Sequence, residues 1–527
     1  IYPTLTAEEI EYILNNSESK VIVTEDRGQL KKVLAVIERC PGIEKIVVME
    51  EKDAQGHPGV MSFTALMELG RKKHAEDPSL FEKLSREVTV DDLATLVYTS
   101  GTTGLPKGAM ISHGNVFWIV KSLDAVQPPF ADDQDVLVAF LPLSHVFQRI
   151  PGHFYAMHRG ITISYAQSID TLLTDFEEKR PTMILAVPRV CEKVYQKIIT
   201  QVKEQSPFKQ KVFYWGQCVG NRISELRENH KPIPPGLRLK YKIAYAVIFK
   251  KLQQKLGGRL KWMTAAGAPT APEIIRFFNA AGITVIQGYG MTETTAPASI
   301  QSLSDFRIGT TGKPMPGQDI RIAEDGEILI KGGNVMKGYW KLPEETRAVF
   351  TPDGYLMSGD IGKFDEEGNL LITDRKKDLL ITSGGKNIAP QMIEGLFKSD
   401  PLFTQFIVIG ERKKYLTGLC NIDLEIAAMI ADDEKIPYQK PADLLDNDRF
   451  LAIVRNHVEE RNTHLAKYET IKDYRIIKTD FSQEGGELTA TLKLKRKVIN
   501  EKYQDLIDEM YGKEAVDELY GQKQSRA

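Results

Sequence analysis

Between Val21 and Ile286, short β-branched runs alternate with longer amphipathic stretches, and that alternation leaves few folds open to the chain. Successive short strands separated by helix-length segments form parallel sheets covered by helices. The spacing predicts strands at Val21–Thr24, Lys45–Val48, Leu96–Tyr98, Val136–Phe140, Ile161–Ile163, Met183–Ala186 and Thr284–Ile286, the last ending in a glycine-rich turn. Near Gly326–Ile330 the texture changes to short strands between Gly, Pro and Asp turns, which predicts an antiparallel or barrel-like subdomain over about 305–375. Beyond Arg375 a smaller α+β segment follows, with strands at Phe406–Ile409 and Leu419–Ile422. The predicted class is therefore α/β: a large N-terminal domain over 1–375 and a small, mobile α+β C-terminal domain over 376–527. A length of 527 residues suits two or three such units better than one core.

Several functional classes drop out on composition. Basic residues number 69 and acidic ones 71, so net charge names no partner. Cys40, Cys191, Cys218 and Cys420 lie far apart with no CxxC pair, which argues against a zinc site or disulfide framework and for a reducing compartment. No secretory signal opens the chain, and its longest apolar run, Ile243–Phe249, falls far short of the ~20 residues of a membrane span. A cytoplasmic location is expected, with peripheral contact at the inner membrane face as an alternative. The chain opens at Ile1 rather than Met, within what reads as a domain already begun.

The segment Tyr98-Thr-Ser-Gly-Thr-Thr-Gly-Leu-Pro-Lys-Gly108 follows an apolar strand directly. Small residues and hydroxyls let backbone N–H groups approach phosphate oxygens, and Lys107 adds a compact positive charge for a polyphosphate. The spacing is not that of a Walker loop, since GxxxxGK[ST] cannot be read here.

That segment resembles the phosphate loop of the adenylate-forming (AMP-binding) superfamily, and further segments in the family's order extend the resemblance over essentially the whole chain. By that resemblance Thr99, Ser100, Gly101, Thr102, Thr103, Gly104 and Lys107 contact the phosphates of ATP. Leu141–Phe147 looks like the segment whose histidine, here His145, lies beside the substrate carboxylate. Ala265–Pro269 looks like the adenine turn, carried by Gly267, Ala268 and Pro269. Gln287–Glu293 looks like the motif in which Gly288, Tyr289, Gly290 and Met291 meet the adenine and Thr292 the phosphate. Glu293 would hold Mg²⁺ together with Thr102. Tyr355–Asp360 and Asp374–Asp378 resemble the segments whose Asp360 and Arg375 reach the ribose, beside Ile372, with Lys377 as the hinge. A carboxylate accepts two hydroxyl hydrogen bonds at once, and a guanidinium donates through a planar fork.

Leu488–Ile499 resembles the long-chain version of the catalytic-lysine motif. Its register aligns Lys493 with the lysine that bridges carboxylate and α-phosphate, Lys495 being the competing assignment. The family's motif often has Pro where Ala490 stands. The resemblance implies two half-reactions: a carboxylate attacks the α-phosphorus of ATP, giving acyl-AMP and pyrophosphate, and coenzyme A then displaces AMP. The C-terminal domain rotates about Lys377 between them, bringing Ser383–Pro390, with Gly384 and Gly385, to the pantetheine arm. ATP, Mg²⁺ and coenzyme A are the implied cofactors and co-substrates.

Gly359–Gly362, Ile381–Pro390 and a basic insertion look most like bacterial long-chain fatty acyl-CoA synthetases. Cys191 stands where some of those place an aromatic gate. Residues 207–260 carry twelve Lys or Arg against two Glu, interleaved with Phe208, Phe213, Tyr214, Trp215, Tyr241, Tyr245 and Phe249. They read as a solvated basic helical insertion with inward-packing aromatics, an anionic lipid surface being the alternative. Nucleic acid is disfavoured because no recognised binding module accompanies the charge. Homodimers are common in the family. Two rival readings stand beside the ligase: an enzyme passing acyl-AMP of another hydrophobic acid to a separate carrier protein, and a catalytically dead binding protein. A fused carrier is not expected, since no carrier-type serine motif follows Lys493.

Overall fold

The structure, a computed structural model, describes residues 1–57, 59–99, 105–168, 171–268, 270–376, 379–383, 387–482, 485–488 and 494–512. At its centre lies a five-stranded all-parallel sheet, in the spatial order Thr284–Ile286, Trp262–Ala265, Met183–Ala186, Val136–Ala139, Thr162–Tyr165. Strand side chains alternate between faces, and both faces are covered. Val138, Ile184, Ala186, Met263 and Val285 enter one apolar core with Phe176, Phe277 and Phe278. Their neighbours Leu137, Met183, Leu185, Trp262 and Ile286 enter a second core with Ile111, Ile119 and Ile150. A smaller parallel sheet of Val21–Thr24, Lys45–Val48 and Val60–Ser62 packs its own core against helices Ala7–Ser17 and Arg27–Leu34.

Two sequence expectations need correction. The strand containing Leu96–Tyr98 joins no parallel sheet: Leu93–Thr99 pairs antiparallel with Lys107–Ser112. Only residues 100–106 separate the two strands, too few for the dozen or more that a parallel crossover needs. The glycine-rich segment after Ile286 is not a turn but a strand, Gly288–Met291, antiparallel to Ala296–Ile300. Its glycines serve close approach: a Cβ at Gly290 would stand 2.1 Å from the carbonyl oxygen of Ala296.

Asp319–Ile322, Glu327–Lys331, Leu356–Phe364 and Leu370–Arg375 form a four-stranded antiparallel sheet. After it, Phe403–Ile409, Leu416–Ile422 and Ile471–Ile476 make a mixed sheet whose core includes Phe397, Phe406 and Phe450. Lys376, the last described residue before Lys377, is held by Asp325 at 2.6 Å and Glu327 at 2.7 Å. Buried Glu327 also accepts from the Gly359 N–H at 2.8 Å, so one carboxylate ties the end of this sheet to the segment that carries Asp360.

The basic segment is helical at Pro207–Glu228 and Pro235–Ala244 and continues through a π-helical turn at Tyr245–Phe249. Phe213 and Phe249 are buried, but Phe208, Tyr214 and Trp215 are exposed, so the expected inward packing of the aromatics holds only in part. All four cysteines are free thiols, with Cys218 exposed and the other three buried.

Candidate active site

The strands of the central sheet end on a single cleft of about 2920 Å³, lined by residues that follow Ala139, Ala186, Ala265 and Ile286. Ligands of open parallel sheets bind beyond the carboxyl ends of the strands. The volume is roughly three times the upper end of an ordinary small-ligand pocket, ~1,000 Å³, and so has room for more than one substrate. Ser100, Gly101, Thr102, Thr103, Gly104, Pro269, Lys377, Gly384, Gly385 and Lys493 lie outside the described residues. The other sequence-predicted site residues line this cleft.

Thr99 and Lys107 enter from the hairpin that flanks residues 100–106. The Thr99 hydroxyl donates to the Lys107 carbonyl at 3.3 Å, closing the hairpin at its mouth. A Cβ at Gly108 would press on the Tyr98 ring at 3.1 Å, so the bare backbone lets that ring lie across the hairpin.

Gly288, Tyr289, Gly290, Met291 and Thr292 reach the cleft from the strand beside the sheet and the 3-10 turn that follows it. Thr294 holds this turn: its hydroxyl accepts from Met291 N at 3.0 Å and lies 2.8 Å from the Ala296 carbonyl. Thr295 at φ 52° and Ala296 at φ 81° are left-handed, a cost borne to reverse the chain within two residues. Buried Asn334 locks the reversal by donating to the Thr294 carbonyl at 2.8 Å. Glu293 is thereby held buried at the cleft wall, where loss of solvation pushes its carboxyl up from the ordinary range. The Tyr339 hydroxyl opposes that by donating to Glu293 Oε1 at 2.7 Å.

Asp360 is buried and Arg375 half-exposed; its Nε stands 3.1 Å from Asp360 Oδ1. On the other oxygen, Tyr289 OH donates to Asp360 Oδ2 at 2.6 Å, and burial together with that carboxylate drives the phenol pKa well up. The phenol therefore remains a donor and, with Arg375, sets the carboxylate's orientation. Ile372 lines the cleft beside them. Gly267 and Ala268 follow strand Trp262–Ala265, with Gly267 at φ 91°, a conformation that suits glycine.

His145 precedes helix Val146–Arg149 and caps it through Nδ1, which accepts from Phe147 N at 3.1 Å. An accepting Nδ1 places the proton of the neutral ring on Nε2. The lining of the cleft also includes the apolar residues Leu123, Phe130, Met183, Leu185 and Trp262 of the second core. Cys191 is buried in the first core and does not line the cleft, whereas Val187 and Val190 do.

Among the described residues no cluster of three or more His, Cys, Asp or Glu is arranged to hold a metal ion. Glu293 offers one buried carboxylate, a donor that fits an ion bound by one protein oxygen and by substrate phosphates, as Mg²⁺ commonly is. Sequence reasoning missed Tyr339 and Glu327. Both contacts depend on tertiary pairing; a local signal beside Tyr339 is Gly338, which takes a φ of 137°.

The profile of AMP-binding enzymes matches residues 1–340, and that of the AMP-binding enzyme C-terminal domain matches 377–515. The chain is 33% identical over 517 residues to the long-chain-fatty-acid–CoA ligase FadD15 of Mycobacterium bovis, covering 98% of this chain and 84% of that one. It is 33% identical over 544 residues to the long-chain-fatty-acid–CoA ligase ACSBG2 of Xenopus laevis, covering 97% and 72%. Two solved structures share the fold. The adenylation domain of a carboxylic acid reductase from Segniliparus rugosus, in complex with AMP and a carboxylic acid, superposes with TM-score 0.67 at 23% identity, over 97% of this chain and 78% of that one. ATP-bound MatB from Rhodopseudomonas palustris gives TM-score 0.64 at 22% identity, over 96% and 83%. The chain belongs to the AMP-binding enzyme family.

Proposed function

We infer that this chain ligates a long-chain fatty acid to coenzyme A at the expense of ATP, by way of an acyl-adenylate and with release of AMP and pyrophosphate. The near-full-length identity to long-chain-fatty-acid–CoA ligases carries this reading. The apolar residues in the cleft lining, Leu123, Phe130, Met183, Leu185 and Trp262, support the choice of acid. Each methylene buried there contributes about 0.8 kcal/mol, so a long tail supplies binding that a short acid lacks.

In this reading the carboxylate lies beside His145 Nε2–H and Lys493, and its oxygen attacks the α-phosphorus. Thr99, Lys107, Thr292 and the segment Ser100–Gly104 hold the polyphosphate. Asp360, Arg375 and Ile372 hold the ribose, while Gly267, Ala268, Pro269, Gly288, Gly290, Met291 and the Tyr289 ring enclose the base. Glu293 and Thr102 would hold Mg²⁺, which supplies charge neutralisation where anions crowd together. Positioning and preorganised charge supply the remaining acceleration. The thiol of coenzyme A then attacks the acyl carbon and AMP leaves, with Gly384 and Gly385 passing the pantetheine arm and Lys377 serving as the pivot. AMP release measured across acetate, octanoate, dodecanoate, palmitate and benzoate tests the assignment. Turnover that requires coenzyme A and is greatest for dodecanoate or palmitate is expected. Preference for acetate or benzoate would contradict the long-chain assignment, and adenylate formed with no thioester would favour a carrier-protein acceptor.

We further propose that the basic insertion docks on an anionic bilayer. Leu239, Ile243 and Val247 are 61%, 50% and 51% exposed at four-residue steps, which makes an outward apolar stripe on one helical face. Gly216 packs against Ala244 and Ile248, so the helix that carries exposed Trp215 lies against the inner face of the stripe's helix. Arg238, Lys240, Lys242, Lys250 and Lys251 are all exposed around the stripe, complementary to anionic headgroups. Among the described residues no helix is long and apolar enough to cross a membrane. Co-sedimentation with phosphatidylglycerol vesicles is expected to fall several-fold in Ile243→Asp/Val247→Asp and to be weak with phosphatidylcholine. Equal sedimentation of wild type and variant would retire the surface.

A further inference from the structure

Tyr339 stands between the two charged side chains that the proposed function sets against the triphosphate. Its hydroxyl donates to Glu293 Oε1 at 2.7 Å. Its ring face receives the Lys107 ammonium, 5.2 Å from the centroid. Glu293 and Lys107 sit on different elements, one on the turn after Gly288–Met291 and the other at the start of Lys107–Ser112. They meet through this one residue.

The backbone around Tyr339 is tied to both elements. Met336 N donates to the Glu293 carbonyl at 2.8 Å, and Trp340 N donates to the Gly108 carbonyl at 2.8 Å. Ala109 and Tyr339 form an antiparallel bridge. Tyr339 N donates to Thr346 Oγ1 at 2.8 Å, and a Cβ at Gly338 would stand 2.5 Å from the Thr346 side chain. The segment is therefore fixed on three sides, and Tyr339 is 8% exposed with little freedom of its own.

We propose that Tyr339 is a positioning residue for the metal–triphosphate complex. Its hydroxyl orients the Glu293 carboxylate toward the ion, and its ring holds the Lys107 ammonium at the phosphates. The two halves of the side chain thus have separable functions, a property that simple packing lacks. The inference rests on the placement of Glu293 and Lys107 at Mg²⁺·ATP, and its test distinguishes the two.

The experiment measures binding of Mn²⁺·ATP by electron paramagnetic resonance, without fatty acid so that nothing turns over, together with ATP KM and kcat under turnover. Tyr339→Phe keeps the ring and loses the hydroxyl; Tyr339→Leu loses both. A hydrogen bond to a charged group is worth enough that Tyr339→Phe is expected to weaken Mn²⁺ binding about tenfold, leaving the ATP KM at saturating metal within about twofold. Tyr339→Leu is expected to weaken the metal equally and to raise the ATP KM as well. Thermal unfolding of both variants separates these effects from loss of fold. Wild-type Mn²⁺ affinity in a folded Tyr339→Phe would overturn the positioning role. Failure of wild type itself to bind Mn²⁺·ATP would overturn the underlying placement of Glu293 instead.

Discussion

Replacing Lys493 by alanine is expected to slow acyl-adenylate formation by about 10²–10³-fold, the usual cost of removing one preorganised donor from developing negative charge. Thioester formation from supplied acyl-AMP should stay within a few-fold of wild type, because the acyl–phosphate anhydride is already made when the thiol attacks. Lys493 lies outside the described residues, but its neighbours Leu494 and Arg496 line the cleft that holds His145 and Glu293. Lys495, just before helix Arg496–Lys502, is not among the residues that line the cleft. Lys495→Ala is therefore expected to retain most activity. Pyrophosphate release and acyl-AMP-to-thioester conversion, measured separately, check both substitutions. Equal loss in the two half-reactions of Lys493→Ala would remove the lysine from its assigned step.

Asp360→Ala is expected to raise the ATP KM by about a hundredfold, with a smaller fall in kcat. In the proposed function this carboxylate accepts both ribose hydroxyls, and hydrogen bonds to an ionised group contribute about 1.5–3 kcal/mol each. The substitution also takes the acceptor from the Tyr289 hydroxyl and the anionic partner from Arg375. A lower unfolding temperature should accompany the kinetic defect, since the phenol is left without this acceptor. Asp360→Asn keeps the shape and one acceptor oxygen, so it should recover part of the stability and less of the ATP affinity. Steady-state kinetics in ATP, with thermal unfolding alongside, check this. An ATP KM within threefold of wild type in a folded Asp360→Ala would place the ribose elsewhere.

Much of the fold was legible because the apolar runs of the central sheet are short, β-branched and bounded by turn residues. Val136–Ala139, Met183–Ala186 and Thr284–Ile286 could be read directly for that reason. Pairing direction was less accessible. Leu93–Thr99 has the composition of a buried parallel strand, and only the shortness of the link to Lys107 makes it half of a hairpin. The glycines of Gly288–Met291 read as a turn because local propensity weighs against strand, whereas close contact with Ala296 favours it.

The candidate site was legible to the extent that it lies in contiguous motifs around Lys107, Gly267, Glu293 and Asp360. What joins those motifs was not. Tyr339 reaches Glu293 across 46 positions (339 − 293), and Glu327 reaches Lys376 across 49 (376 − 327), contacts that only tertiary packing creates. The outward stripe of Leu239, Ile243 and Val247 was likewise hidden. Helical periodicity reveals that these residues share a face, but not that Ala244 and Phe249 take the inner one.

The most direct measurement follows the α-phosphate of labelled ATP incubated with palmitate and Mg²⁺, first without coenzyme A and then after its addition. The expected result is palmitoyl-AMP near enzyme stoichiometry with one pyrophosphate each, converted on addition of coenzyme A into palmitoyl-CoA and AMP. Label recovered as ADP, or palmitoyl-CoA formed with no adenylate ever detectable in a single turnover, would contradict an acyl-adenylate mechanism in this cleft.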